Sequence, residues 1–218
     1  MNRFLLLIAL LGLISACRKE SSAIDQNRIY QEYTVVYNDQ TGNTEVSASF
    51  HQDNISGKRL KLTGGAKVYF NGKRITGKSS FNETYSGFIS PVKIEFEDSK
   101  GKKYTNYSYG INYIDGNPFE NFISGTNNFF SWYGSAVGPN EGVTFYARNQ
   151  DGNSNNQSVY QQGSSAINLN ANFFNNFQNQ FFTYWLKRDI ISYTGDFATA
   201  GGSFEVSYRS RDYEGQLF

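Results

Sequence analysis

The chain has one cysteine, one histidine, one methionine and three prolines in 218 residues. A single thiol has no partner for an intramolecular disulfide, so packed side chains must hold the fold together. One imidazole excludes a site built from two or three histidines, and one thiol excludes a cysteine-rich zinc site. Alanine, the best helix former, is outnumbered about two to one by asparagine, which suits turns. Long apolar runs are also missing. The longest, Phe4–Ile14, would rise only ~16 Å as a helix, against the ~30 Å of a bilayer's hydrocarbon core. There is no Gly-x-Ser-x-Gly nucleophile elbow, because Ser135 sits one place too early in Gly134–Gly138. No cofactor or metal is expected.

Aromatics are plentiful at 17%, with 16 tyrosines and 19 phenylalanines, and each can bury a large area. From about Arg28 the apolar residues recur every second place. Val46, Ala48 and Phe50 alternate with polar neighbours, as do Leu60 and Leu62, then Val92, Ile94 and Phe96. Such alternation marks half-buried antiparallel strands. Asn71-Gly72 between two such runs signals a type I′ hairpin, and Asp98–Gly101 a second tight turn. Seven or eight short strands before Asp115-Gly116-Asn117-Pro118 give the size of one sandwich, and the pattern then restarts. In the second part Asn149–Gln162 reads as an exposed loop. The spacing of Phe173, Phe174 and Phe177 reads as a helical turn or two, and Phe181–Asp189 as a strand. The expected fold is all-β, with two tandem antiparallel sandwiches over 28–116 and 117–218. One larger sandwich is the alternative.

The N-terminus carries an address. Asn2-Arg3 precedes the apolar run, and Ile14-Ser15-Ala16-Cys17 closes it with two small residues and the only cysteine. This stretch resembles the bacterial lipobox, which implies a signal peptide over 1–16 and a lipidated, N-terminal Cys17. Residues 17–27 then read as the lipidated cysteine and a flexible tether. Removing 1–16 takes one base, Arg3, from 20 Lys and Arg and none from 19 Asp and Glu, leaving 19 of each. A neutral mature chain lacks the basic field that nucleic acids require.

Lipobox, polar segment, Val46–Phe50, Gly64-Gly65-Ala66 before Val68–Gly72, and a second similar unit together resemble Bacteroidota envelope lipoproteins with tandem immunoglobulin-like β-sandwich domains. The resemblance implies a lipid-anchored protein of the cell envelope, at the outer membrane because Arg18 follows the cysteine, and it leaves function open. The expected role is a non-catalytic interaction or structural module whose partners are the membrane, through the lipid, and an envelope protein or glycan. Glycan binding is the first alternative and a hydrolase with a carboxylate pair the second.

Chemistry-bearing candidates are few. His51 ends a strand and reads as a surface or hydrogen-bonded residue. Glu95 and Glu97 share their strand face with Lys93, as a solvated face does. Asp151–Asn156 offers oxygen ligands without the alternating acids of a calcium loop. Trp132-Tyr133 is the candidate ligand-binding pair and Tyr184-Trp185 a second aromatic pair, with the core as the favoured place for both Trp132 and Trp185. No catalytic residue is assigned.

Overall fold

The computed structural model describes residues 19–77, 80–108, 110–116, 121–177, 181–192 and 195–218. The apolar leader, Cys17 and the Asn117–Pro118 part of the expected boundary lie outside them. The described chain is all-β, with two short 3-10 turns, and contains no helix long and apolar enough to cross a membrane.

The first half supplies β1 (Lys19–Glu20), β2 (Ile29–Asn38), β3 (Asn43–Gln52), β4 (Leu60–Lys61), β5 (Lys67–Phe70), β6 (Lys73–Ile75), β7 (Phe81–Ser86), β8 (Val92–Glu97) and β9 (Lys103–Ser108). Sheet order β6-β5-β8-β9 forms one layer and β2-β3-β7 the other. Alternation decides the faces: β8 buries Val92, Ile94 and Phe96 and turns Lys93, Glu95 and Glu97 outward. The two layers meet through aromatics, with Phe50 and Phe96 ring centres 4.7 Å apart and Phe70 and Tyr85 5.0 Å apart. The β5–β6 hairpin turns at Asn71 and Gly72, whose φ angles of 45° and 82° are the positive pair that a type I′ turn needs.

The second half supplies β10 (Ile114–Asp115), β11 (Asn121–Phe122), β12 (Asn128–Ser131), β13 (Tyr133–Gly134), β14 (Glu141–Asn149), β15 (Ser154–Val159), β16 (Ala166–Leu169), β17 (Phe181–Ser192), β18 (Gly202–Arg209) and β19 (Tyr213–Leu217). Phe182, Tyr184 and Leu186 of β17 face inward onto Phe145, Phe122 and Phe174, and Phe130 comes across from the β12–β16 pair. Phe130 and Phe145 ring centres lie 4.9 Å apart. Close packing reaches the backbone here. A Cβ on Gly215, opposite Phe182, would sit 2.5 Å from that ring.

Three expectations change. The Phe173–Phe177 stretch is a run of turns rather than a helix. Asn170 and Asn172 side chains engage nearby backbone, with Oδ1 of Asn170 accepting from the Asn172 amide at 3.0 Å, and such local bonds compete with helix. Asn149–Gln162 is not all loop, because Ser154–Val159 pairs with β14 as β15. Backbone pairing needs no apolar side chains, and a polar edge strand discourages further pairing.

Residues 19–27 are not a free tether either. β1 pairs in parallel with β4, Lys19 opposite Leu60 and Glu20 opposite Lys61. Ser21 is buried and its Oγ accepts from the Thr63 amide at 3.0 Å. Buried Gln26 donates to the carbonyls of Ser21 and Ile24 at 2.9 and 3.0 Å and accepts from the Ser99 amide at 3.3 Å. This polar segment can pack because its buried groups find partners.

One sheet crosses the expected boundary. β18 pairs in parallel with β2 from Gly202–Gln31 to Arg209–Asn38. The 12-residue β17 has β14 along one side and β18 followed by β19 along the other. Lys187 faces Arg209 and Tyr184 faces Tyr213, so three steps on β17 oppose four on the partner. β18 and β19 therefore form one interrupted strand with a single extra residue, a bulge. There Ser210 exchanges bonds with Leu186, amide to carbonyl and amide to hydroxyl, both at 2.9 Å. The two sandwich cores thus share a spine, and the last strands of the chain complete the sheet begun by the first.

Candidate interaction groove

The outward face of β17 carries Phe181, Thr183, Trp185, Lys187 and Asp189, every second residue of the strand. Trp185 lies on this face, not in the core as expected. Its neighbours in sequence, Tyr184 and Leu186, take the inward places, and a strand cannot turn adjacent side chains to one side. The polar partners Thr183, Lys187 and Asp189 at the same parity were the signal that this face meets water.

Trp185 is clamped from both sides. Tyr146, its cross-strand partner on β14, stacks at 5.3 Å with planes 4° apart. From the β18 side the Arg209 guanidinium lies 4.9 Å from the ring centre. Arg209 is itself held by Asp212 at 2.5 Å and the Ser210 carbonyl at 3.1 Å. Beyond this ladder a groove of 610 Å³ opens, lined by Arg148, Thr183, Phe181, Trp185, Arg209, Asp212 and Glu214 among others. Thr183 sits opposite Arg148 on β14 and opposite Glu214 on β19, so the floor reads cation, hydroxyl, carboxylate across three strands. Phe181, 44% exposed, stands at the far end.

Next to the ladder, Lys187 bonds Asp189 at 2.6 Å and Glu205 at 2.9 Å, and the Ser207 hydroxyl lies between the two carboxylates. Burial pushes Glu205 up, but the Lys187 bond and charge outweigh it and hold the carboxyl below its usual value of 4.5. Burial likewise opposes the Lys187 ammonium, and its two acidic partners raise it. Such a cluster keeps Glu205 ionised, whereas a general acid needs the opposite shift.

The sequence candidates are scattered. Trp132 is 6% exposed and its indole N–H donates to the Ser135 carbonyl at 3.1 Å, while Tyr133 is 60% exposed. They point to opposite sides and form no joint platform. His51 meets Ser49 at 3.0 Å and Glu32 at 3.4 Å through the same nitrogen, Nε2, while Nδ1 faces the Gly57 carbonyl at 3.3 Å. An acyl-transfer triad places serine and acid on different nitrogens, so this cluster lacks that relay. Glu95 pairs with Lys93 at 3.1 Å and Glu97 with Lys67 at 2.9 Å. The Asn149 amide donates to the Asn153 carbonyl and the Asn153 amide to Asn149 Oδ1, closing the β14–β15 hairpin, while the Asn153 side-chain amide donates to the Asn176 carbonyl. Among the described residues no three His, Cys, Asp or Glu converge as metal ligands would. No phosphate-binding Gly-Lys-Ser/Thr loop is expected, yet Gly72–Ser79 does fit the Gly-x4-Gly-Lys-Ser spacing of one. Residues 73–75 are instead strand β6, in a β-hairpin rather than the strand–loop–helix such a loop needs, and Lys78 and Ser79 lie outside the described residues.

No protein-family model matches the chain, and no curated protein matches it. Among solved structures it is similar to the crystal structure of a tetra-tandem repeat in the extending region of a large adhesion protein, with 10% identity over 83% of this chain and a TM-score of 0.26. The match covers 48% of that structure, so the chain spans about half its length.

Proposed function

We propose that this chain is a lipid-anchored cell-envelope protein, carried on Cys17 at the outer membrane, that acts as a non-catalytic interaction module and binds a neutral glycan in the groove over β14, β17 and β19. The observation that carries this reading is the outward floor of Arg148, Thr183 and Glu214 between the Trp185 ladder and Phe181. Sugar hydroxyls both donate and accept, and the floor offers both roles within one row. Two cations, Arg148 and Arg209, balance two carboxylates, Asp212 and Glu214, so the groove has no net field to draw a polyanion. Both faces of Trp185 are occupied by its neighbours, which leaves Phe181 as the ring open to stacking. The volume lies in the range of small-ligand sites.

A glycan screen with the unlipidated mature chain tests this. Phe181→Ala and Arg148→Ala should each weaken binding by about 1 kcal/mol or more, as anchoring contacts do. Tyr133→Ala, the other exposed aromatic singled out by sequence, should leave it unchanged. If no neutral glycan is retained, or if the two groove variants bind as well as the parent, the reading fails. Capture of a protein instead, sensitive to the same variants, would replace the glycan while keeping the groove.

A further inference from the structure

The docked N-terminal segment has a consequence for how the protein sits on its membrane. This inference rests on lipidation of Cys17. Only Arg18 separates Cys17 from Lys19, where pairing with β4 begins, and two steps of chain reach at most ~7 Å. An anchor with so little slack cannot let the body tumble. It holds one end of the molecule at the lipid surface.

That end is built from the β1–β4 pair, the Asp53–Gly57 turn and the Asp98–Lys102 turn, joined through Gln26 and Ser99. Ile55 at the tip of the first turn is 48% exposed. These segments and the short link from the first turn to β4 carry Lys19, Lys58, Arg59, Lys61, Lys100 and Lys102. Arg28 and Asp53 neutralise each other through two bonds at 2.6 and 2.7 Å. Six cations are thus set against Glu20, Asp25 and Asp98, in a mature chain whose charges cancel overall. We infer that this end is a membrane seat, resting on anionic lipid headgroups with Ile55 dipping among them.

The sheet then sets where the groove goes. From Ile29 the strand direction runs nine residues to Asn38, which pairs through Arg209 with Lys187. Phe181 lies six residues further on β17, so the groove stands up to ~50 Å from the seat along the strands. The shared spine makes the protein a short, rigid post with its binding face at the far end.

Because Cys17 is the only thiol, the mature chain can be coupled through it to a maleimide-bearing lipid, whether or not cells acylate it. Hydrogen–deuterium exchange is then compared between free and coupled protein on phosphatidylcholine vesicles with and without phosphatidylglycerol. Amides of 53–61 should exchange more slowly when coupled, and more so with the anionic lipid, while 181–185 and 209–214 stay unchanged. A Gly-Ser insertion between Cys17 and Lys19, or Lys58→Glu with Lys100→Glu, should remove most of that slowing. Equal exchange in coupled and free protein, or slowing that survives both changes, overturns the seat. Fatty-acid analogue labelling in cells tests the anchor separately, and absence of label on Cys17 overturns the anchor whatever the vesicles show.

Discussion

Among the described residues Arg188 is the largest side chain with no exposure at all, and replacing it is the sharpest test of the packing. It lies on the inward face of β17, and its guanidinium bonds Glu141 at 2.7 Å, the Ala136 carbonyl at 3.2 Å and the Ser135 carbonyl. The Ser135 carbonyl also receives the Trp132 indole, so one charged group pins the whole 135–141 segment to the spine. Arg188→Met keeps much of the volume and removes the charge. Glu141, 9% exposed, then keeps only the Gly138 amide at 2.8 Å as a donor. Breaking a buried pair from one side costs about 3–5 kcal/mol, because the remaining charge is stranded. With a urea slope of about 3 kcal/mol/M, the unfolding midpoint should fall by about 1–1.7 M. Adding Glu141→Gln removes the stranded charge and should recover part of the loss, giving a coupling energy above about 1 kcal/mol in a double-mutant cycle. A single variant within about 0.5 kcal/mol of the parent, or two losses that simply add, would refute the argument.

Three further outcomes follow from the same geometry. A fragment of residues 26–116 lacks β18, so β2 loses eight register partners and its Tyr33 and Val35 lose Phe204 and Val206; it should show little strand signal by circular dichroism, and an independently folded fragment would contradict the shared sheet. Gly215→Ala places a Cβ 2.5 Å from the Phe182 ring and should destabilise by about 1–3 kcal/mol in thermal or urea unfolding, since that ring is hemmed in by Phe122, Phe174 and Phe177. Glu205 has a lowered folded-state pKa, so its stabilisation is present above 4.5 and disappears as pH falls through the lower folded value; Glu205→Gln should flatten stability against pH below 4.5 and leave the alkaline limb in place, and an unchanged acid limb would show that the Lys187 cluster contributes nothing.

Much of the proximal sandwich follows from local chemistry. Two-residue alternation in Val46–Phe50 and Val92–Glu97 fixes which side is buried, and Asn71-Gly72 fixes the hairpin, because strand parity and positive φ are properties of neighbouring residues. The same alternation around Trp185 carried the right answer, since Thr183, Lys187 and Asp189 share its side; an aromatic residue alone does not reveal which face it takes. The resemblance of Ile14–Cys17 to a lipobox is likewise a local pattern, read from order in the chain.

Tertiary structure decided what depends on distant partners. Polar residues 19–27 pack only because Thr63 and Ser99 meet their groups, and Ser154–Val159 is a strand only because β14 offers a free edge. The groove draws Arg148, Thr183 and Glu214 from three strands, and no spacing in the chain announces that they meet. The parallel pairing of β18 with β2 joins residues about 170 apart, a contact set by which edges remain unpaired after each local hairpin has formed. Sequence specified the faces; only the tertiary structure joined the last strands of the chain to the first in one sheet.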